Sequence, residues 1–572
     1  MKALARAAVV LVAVLIVVAA WLVRGEPAAF ADPTSAREMR RIELLLATST
    51  TYEHDQWLDE RAPPLYFARL VAGAAQRWLA TPGGDPALRG VDEADLERLA
   101  VRATTVSCSL YALGVGLLAY ALGRGPKRAA SALVVAVVVG VVAARVAAAV
   151  DVRVLGDALA CGGFALAWSA ARSNDVFDRV ATGLVAGALL GVGLATAPEA
   201  GALVAATASA LLAEALFGPK ERAEPVLAVG LCALTVAGVL AFVQLASFGD
   251  LAGLARATLA KGVLGVAVVF LFVRKFGLKR RPSWLFGAGP SAWLVAFAPA
   301  LAWCAWACSQ WEVESTREWL SVGLALAGAA LLVHGVLRVD ARRGAACAAL
   351  FLAALPGLGA ANLLLPLVVA GVLTLAILRE HARAAGRELH WAHGIAWAAI
   401  CAAAFGLAPR GREQREEAAL VAFLRELRTS TPSVGPWNHP SARPDARILC
   451  EPELGPAVAY HARRAPLASA QHGERETPPV RAARALLEGP TDGLVARLAV
   501  SGAEAALVGE AVRGRRYERA VGDAPAPDVL HALAAAELAD GLVVVAEADE
   551  PRFVRLVRWE VSTPAAEARA AK

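Results

Sequence analysis

Residues 226–243 read VLAVGLCALTVAGVLAFV, eighteen positions without a charged side chain. As an α-helix such a stretch covers about 27 Å, close to the roughly 30 Å of hydrocarbon in a bilayer. Backbone N–H and C=O groups find no water partners in lipid, and a helix satisfies them internally. Residues 130–150 (ASALVVAVVVGVVAARVAAAV) and 320–337 (LSVGLALAGAALLVHGVL) repeat the pattern. The whole chain agrees: of 572 residues, 57% are hydrophobic and 19% charged, and mean hydropathy is +0.52. Soluble domains carry about 25% charged residues. A large soluble helical solenoid is the alternative, and it would show striped rather than continuous apolar runs.

About thirteen spans are expected, at 7–23, 104–123, 129–150, 157–171, 180–197, 201–217, 225–246, 255–273, 291–308, 320–337, 345–357, 361–378 and 391–407. Lys and Arg should collect in every second loop, on the cytoplasmic side. Starting from Lys2 and Arg6 inside, they fall at Arg124/Lys127/Arg128, Arg172/Arg179, Lys220/Arg222, Arg274–Arg281, Arg338/Arg342/Arg343 and Arg379/Arg383/Arg387. The alternate loops are poor in them, apart from Arg256 and Lys261. Residues 7–23 are either the first span or a signal peptide ending at Ala29-Phe30-Ala31. Under both readings the next segment lies outside the cytoplasm.

The expected organisation is therefore a polytopic α-helical membrane domain over 1–407, with a long first external loop at 24–103. An extracytoplasmic soluble domain follows over 408–572. The tail reads as a small α/β or α+β domain. Its strands are expected at 447–450, 466–468, 541–546 and 553–557, with a helix at 455–464. The net charge of +6 is modest and gives no nucleic-acid reading. Seven of the eight cysteines lie in or beside apolar runs, and only Cys450 falls in the tail. That excludes a disulfide within the tail, and no metal-binding Cys-x-x-Cys occurs.

This topology isolates the acids that face outward at the membrane boundary. They are Asp32, Asp55 and Asp59, then Asp151 and Asp157, Glu199, Asp250, and Glu312 and Glu314. A hard divalent cation takes several oxygen ligands, and carboxylates from separate loops can converge on one. Such a cation neutralises a departing phosphate or diphosphate. Asn174-Asp175-Val-Phe-Asp178 also offers paired acids, but charge placement puts it on the cytoplasmic side.

Several of these stretches resemble bacterial relatives of the oligosaccharyltransferase catalytic subunit, in the GT-C superfamily of membrane glycosyltransferases. The first loop has Asp32 ahead of Arg40-Arg41, then Asp55 with Trp57 nearby, then Pro63-Pro64 leading into a helix. Glu38 stands where that family places a His. Val154-Leu-Gly-Asp157 falls where its second acidic motif lies, Pro198-Glu199-Ala200 resembles its Ser-Pro-Glu-Ala stretch, and Ser309-Gln-Trp-Glu312 matches its Thr/Ser-x-x-Glu motif. In the tail, Glu451-Pro-Glu453-Leu-Gly455 replaces a Trp-Trp-Asp element, ahead of the helix carrying Tyr460.

The resemblance implies a transferase that moves a sugar or oligosaccharide from a polyprenyl-phosphate or diphosphate donor to a protein, lipid or glycan acceptor. It implies catalytic roles for Asp32 and Glu312, and a Mg²⁺ or Mn²⁺ ion held by Asp32, Asp157 and Glu312 with Asp55 in reserve. Arg40, Arg41, Glu199, Glu453 and Tyr460 are the expected substrate contacts. The inner cell membrane is the expected location. Two other readings stay open. One is a catalytically silent relative that binds or assembles partners. The other is a transporter or flippase of lipid-linked substrates, which would show repeated halves.

Overall fold

The computed structural model describes residues 32–48, 54–58, 60–61, 66–123, 128–246, 255–278, 282, 286, 290–308, 341–354, 369, 371–374, 376–377, 411–430, 437–439, 447–469, 478–489, 493–509, 529, 533, 538, 541–548 and 554–559. The chain forms two units. A helical unit takes Met1–Glu26, Val101–Ala147 and Asp151–Ala408. A mixed unit takes Pro27–Ala100, Ala148–Val150 and Pro409–Lys572. The first external loop groups with the tail, not with the spans.

In chain order the elements begin with α1 (Pro33–Thr48), a small hairpin of β1 (His54–Asp55) and β2 (Glu60–Arg61), and α2 (Tyr66–Trp78). A 3₁₀ turn at Pro86–Leu88 leads into α3 (Glu93–Leu122), which starts in the mixed unit and continues into the helical one. There follow α4 (Arg128–Val146), α5 (Arg153–Ala170), α6 (Val176–Thr196), a 3₁₀ turn at Pro198–Ala200, α7 (Gly201–Phe217), α8 (Lys220–Ala246) and α9 (Ala255–Phe272). Next are α10 (Pro290–Cys308), α11 (Ala341–Ala354) and α12 (Gly411–Ser430). The tail holds β3 (Arg447–Leu449), α13 (Gly455–His461), β4 (Ala465–Pro466), α14 (Pro478–Glu488), α15 (Leu494–Val500), β5 (Ala503–Gly509), β6 (Leu542–Ala548) and β7 (Val554–Trp559).

Helices α3 to α11 fall on the stretches expected at 104–123 through 291–308 and at 345–357. Among the described residues, α3, α6 and α8 are long and apolar enough to cross a membrane, and α4, α7 and α10 are shorter apolar helices. The expected spans 7–23, 320–337 and 391–407 lie outside the described residues, and 361–378 is described only in part.

The helical unit packs through small residues. A Cβ on Gly187 would stand 2.5 Å from the Ala233 carbonyl oxygen, and one on Gly191 would stand 2.8 Å from that of Ala237. Gly187-x-x-x-Gly191 on α6 therefore lets its backbone meet that of α8, the contact small residues allow between apolar helices. Alanine, leucine and valine fill the interior, with Phe164, Trp168 and Phe270 fully enclosed. Large apolar side chains such as Val268, Phe272, Leu294 and Leu301 face outward, as a lipid-facing surface requires.

In the mixed unit the five-stranded sheet has the order β4-β3-β5-β7-β6. Strand β3 runs parallel to β4 and β5, while β7 runs antiparallel to β5 and β6. The expected strands and the helix between the first two are all present. Helix α13 stops at His461 rather than 464 because Arg463 turns into the left-handed region at φ 50°. Strand β5 is an addition: its Ala-Glu-Ala-Ala start favours helix, and pairing with β3 and β7 on both sides overrides that preference. Leu449, Val480, Ala483, Leu487, Leu498, Ala506, Val557 and Trp559 form the core beneath.

Candidate active site

The site of the helical unit is built by two glycines. Gly156 on α5 faces Gly193 on α6. A Cβ on Gly156 would lie 2.7 Å from the Ala197 Cβ, and one on Gly193 would lie 2.8 Å from the Gly156 carbonyl oxygen. Only glycine fits at both places, and the fit brings the N-terminal end of α5 against the C-terminal end of α6. Asp157 is the next residue on α5, and Glu199 occupies the turn that follows α6. Asp151 precedes α5. Its N–H donates to the Thr104 hydroxyl at 3.2 Å, and its carboxylate accepts from the Arg153 N–H at 3.0 Å and from Arg153 Nε at 3.1 Å.

Asp157 differs from its neighbours. It is wholly buried, and neither carboxylate oxygen has a hydrogen-bond partner among the described residues. The charges that act on it are Glu199 and Asp151, both acidic, opposed by Arg153. A buried carboxylate with no donor and two acidic neighbours is strongly disfavoured unless a cation joins it. The donor set is all oxygen, which suits Mg²⁺ or Mn²⁺ rather than a soft metal.

The other expected site residues lie in the mixed unit or outside the described residues. Asp32 is half-buried and caps α1, accepting the Ser35 N–H at 2.8 Å. Asp55 is enclosed, taking Arg40 Nε at 3.2 Å and the Trp57 N–H at 3.0 Å. Arg40 is fully buried and also donates to the Trp437 carbonyl. Arg41 pairs with Glu38. Glu453 pairs with Arg484. Tyr460 is fully buried, and its hydroxyl donates to Glu97 at 3.0 Å. Glu312, Asp59 and Asp250 lie outside the described residues. Asp175, set aside as cytoplasmic, caps α6 by accepting the Phe177 N–H at 2.7 Å.

The mixed unit also holds a charge network that the sequence motifs pass over. Glu93, at the start of α3, accepts Arg428 twice, at 2.5 and 2.9 Å, and Arg463 at 3.2 Å. Glu97 accepts Arg425 at 2.6 Å. Arg463 stacks on Trp437, with 3.7 Å from guanidinium carbon to ring centroid. Burial pushes the Glu93 carboxyl upward, but the hydrogen bonds and charge of Arg428, with Arg463 and Arg425, outweigh it and hold the group below its ordinary range. For Glu43 on α1 the balance reverses. Burial and the charge of Glu93 push it up to about 8 against Arg463, Arg40 and Arg428. The ligand atoms of Glu93, Glu97 and His461 lie within 4.8 Å of one another. Arg425 and Arg428 already neutralise both carboxylates, so we assign no ion there.

No family model and no curated protein matches the sequence. Solved structures do match. The apo oligosaccharyltransferase of Archaeoglobus fulgidus superposes with a TM-score of 0.61, at 12% identity, over 91% of this chain and 71% of that one. The fold is that of an oligosaccharyltransferase. The archaeal oligosaccharyltransferase AglB from the same organism, in complex with an inhibitory peptide and a dolichol-phosphate, gives a TM-score of 0.54 at 12% identity, over 90% of this chain and 71% of that one. The likeness in fold thus covers nearly all of this chain and about seven tenths of each neighbour.

Proposed function

We propose that the chain is a membrane glycosyltransferase that moves a sugar or oligosaccharide from a polyprenyl-phosphate or diphosphate carrier to an extracytoplasmic acceptor. The observation that carries this reading is Asp157, a buried carboxylate without a hydrogen-bond partner among the described residues, under the charges of Glu199 and Asp151 in a chain with the oligosaccharyltransferase fold. The archaeal neighbour bound to a dolichol-phosphate and an inhibitory peptide supports a lipid-linked donor and a peptide among the acceptors to test first.

Asp157 and Glu199 would hold a Mg²⁺ or Mn²⁺ ion. When bound, such an ion offsets the negative charge that builds on a departing phosphate. Asp151 clamps Arg153 through its backbone N–H and Nε, which fixes a cation beside the acids. Enclosure of Asp157 keeps water from screening these charges, so each counts for more than it would at the surface.

Calorimetry of Mn²⁺ binding to the purified protein in detergent tests the proposal. Wild type should bind, and Asp157→Asn and Glu199→Gln should each weaken binding by at least about tenfold, the share of one charged ligand. Absence of binding in the wild type would sink the metal-dependent reading and favour a silent relative or a transporter. Binding without sugar transfer from short-chain polyprenyl donors would keep the ion site and remove the reaction.

A further inference from the structure

Glu43 lies on α1, which packs against α13 within the mixed unit, and is fully enclosed. No hydrogen bond reaches either of its carboxylate oxygens among the described residues. The nearest cation is Arg463, whose Nη2 stands 3.7 Å from Glu43 Oε1, beyond hydrogen-bond reach. The same nitrogen stands 3.2 Å from Glu93 Oε2. Two acids thus compete for the arginines, and Glu93 takes them: Arg428 grips it with two nitrogens, while Glu43 receives none. Among the described residues, the charges that act on Glu43 are Glu93, Arg463, Arg40 and Arg428. On its own helix Arg40 is engaged by Asp55, and Arg41 by Glu38. From the preceding turn Asp85 reaches Arg463 at 3.8 Å, and Arg89 donates to the Ala47 carbonyl. From α13, Tyr460 donates to Glu97 and His461 is buried. The arginines of α2, Arg69 and Arg77, are solvent-exposed.

We propose that Glu43 is a proton-binding site that holds α1 against α13 while it carries a proton and loosens that contact when it ionises. A neutral carboxyl is tolerated in this enclosure. An ionised one faces Glu93 with no donor of its own, and moving α1 outward to reach water relieves the conflict. The direction of its titration agrees, with the carboxyl pushed up to about 8 by burial first and Glu93 second. Because α1 is capped by Asp32 three turns earlier, loosening would also disturb that residue. This last consequence rests on the transferase reading; the proton site does not.

Hydrogen exchange of the α1 amides in the full-length protein, compared with Glu43→Gln at each pH, isolates the effect from the intrinsic exchange chemistry. Gln copies the protonated shape without a titrating group. The ratio of α1 opening constants, wild type over variant, should grow as pH rises from about 5 to 8, by up to about tenfold per pH unit. A ratio independent of pH would overturn the proposal. Should the variant fail to fold, infrared difference spectra of wild type carrying ¹³C-glutamate give a second readout. An enclosed carboxylic acid band that vanishes between about pH 6 and 9 is expected, whereas no protonated glutamate above about pH 6 would refute it. Neither readout uses catalysis, so their failure would leave the transferase proposal standing, and the reverse holds too.

Discussion

At the scale of single residues, the two glutamates of the mixed unit make opposite demands on pH. Glu93 is held below its ordinary value of 4.5, so the stability it contributes is present above that value and is lost as pH falls through its folded-state titration. Glu43 is raised from 4.5 to about 8, so the folded state binds its proton more tightly than the unfolded chain. That part of the stability is greatest at low pH and is lost as pH climbs toward 8. Thermal midpoints should therefore be highest at mildly acidic pH and fall on both sides. Glu43→Gln should flatten only the alkaline limb. Arg428→Met should lower stability by about 2 to 4 kcal/mol, less than breaking a wholly isolated buried pair because Arg425 and Arg463 remain. Denaturant titration checks it. None of this was legible in the sequence, since Glu93 and Arg428 lie 335 positions apart. Asp157 and Glu199 were legible as outward-facing acids. That the charge of Glu199 acts on Asp157 was not, because it depends on how closely α5 approaches α6.

At the scale of elements, glycine spacing decides where the site acids go. Gly156→Val should push α5 from α6, since the added atoms meet the Ala197 Cβ and the Gly193 carbonyl. We expect Mn²⁺ affinity to fall while the helical content by circular dichroism stays unchanged. Gly187→Val should act differently. Its Cβ would press on the Ala233 carbonyl, separating α6 from α8 and costing about 1 to 3 kcal/mol or more, as overpacking does. A drop in the thermal midpoint larger than that for Gly262→Val, where no atom lies within 4 Å, would support this reading. Equal drops would count against it. Strand β5 shows the other side of the element scale. Ala503, Ala505 and Ala506 carry no strand signal, and the sheet recruits them by pairing alone.

At the scale of the whole molecule, the charge pattern and the apolar runs predict opposite sides for two exposed sites. Val500 at the end of α15 is 83% exposed, and Arg222 is exposed in the first turn of α8. A cysteine placed at Val500 should react with an impermeant maleimide from outside intact cells, and one at Arg222 should react only after permeabilisation. The reverse pattern would invert the topology. By itself the sequence determined that the chain builds apolar helices, because uninterrupted runs leave a backbone in lipid no other way to satisfy its polar groups. It also determined β6 and β7, whose runs are rich in valine. Only the tertiary structure decided that the first loop folds with the tail, that Glu93 outcompetes Glu43 for arginine, and that Asp157 has no donor among the described residues. The physical reason is common to all three: burial and charge pairing depend on distances between residues that are remote in the chain, and packing alone sets those distances.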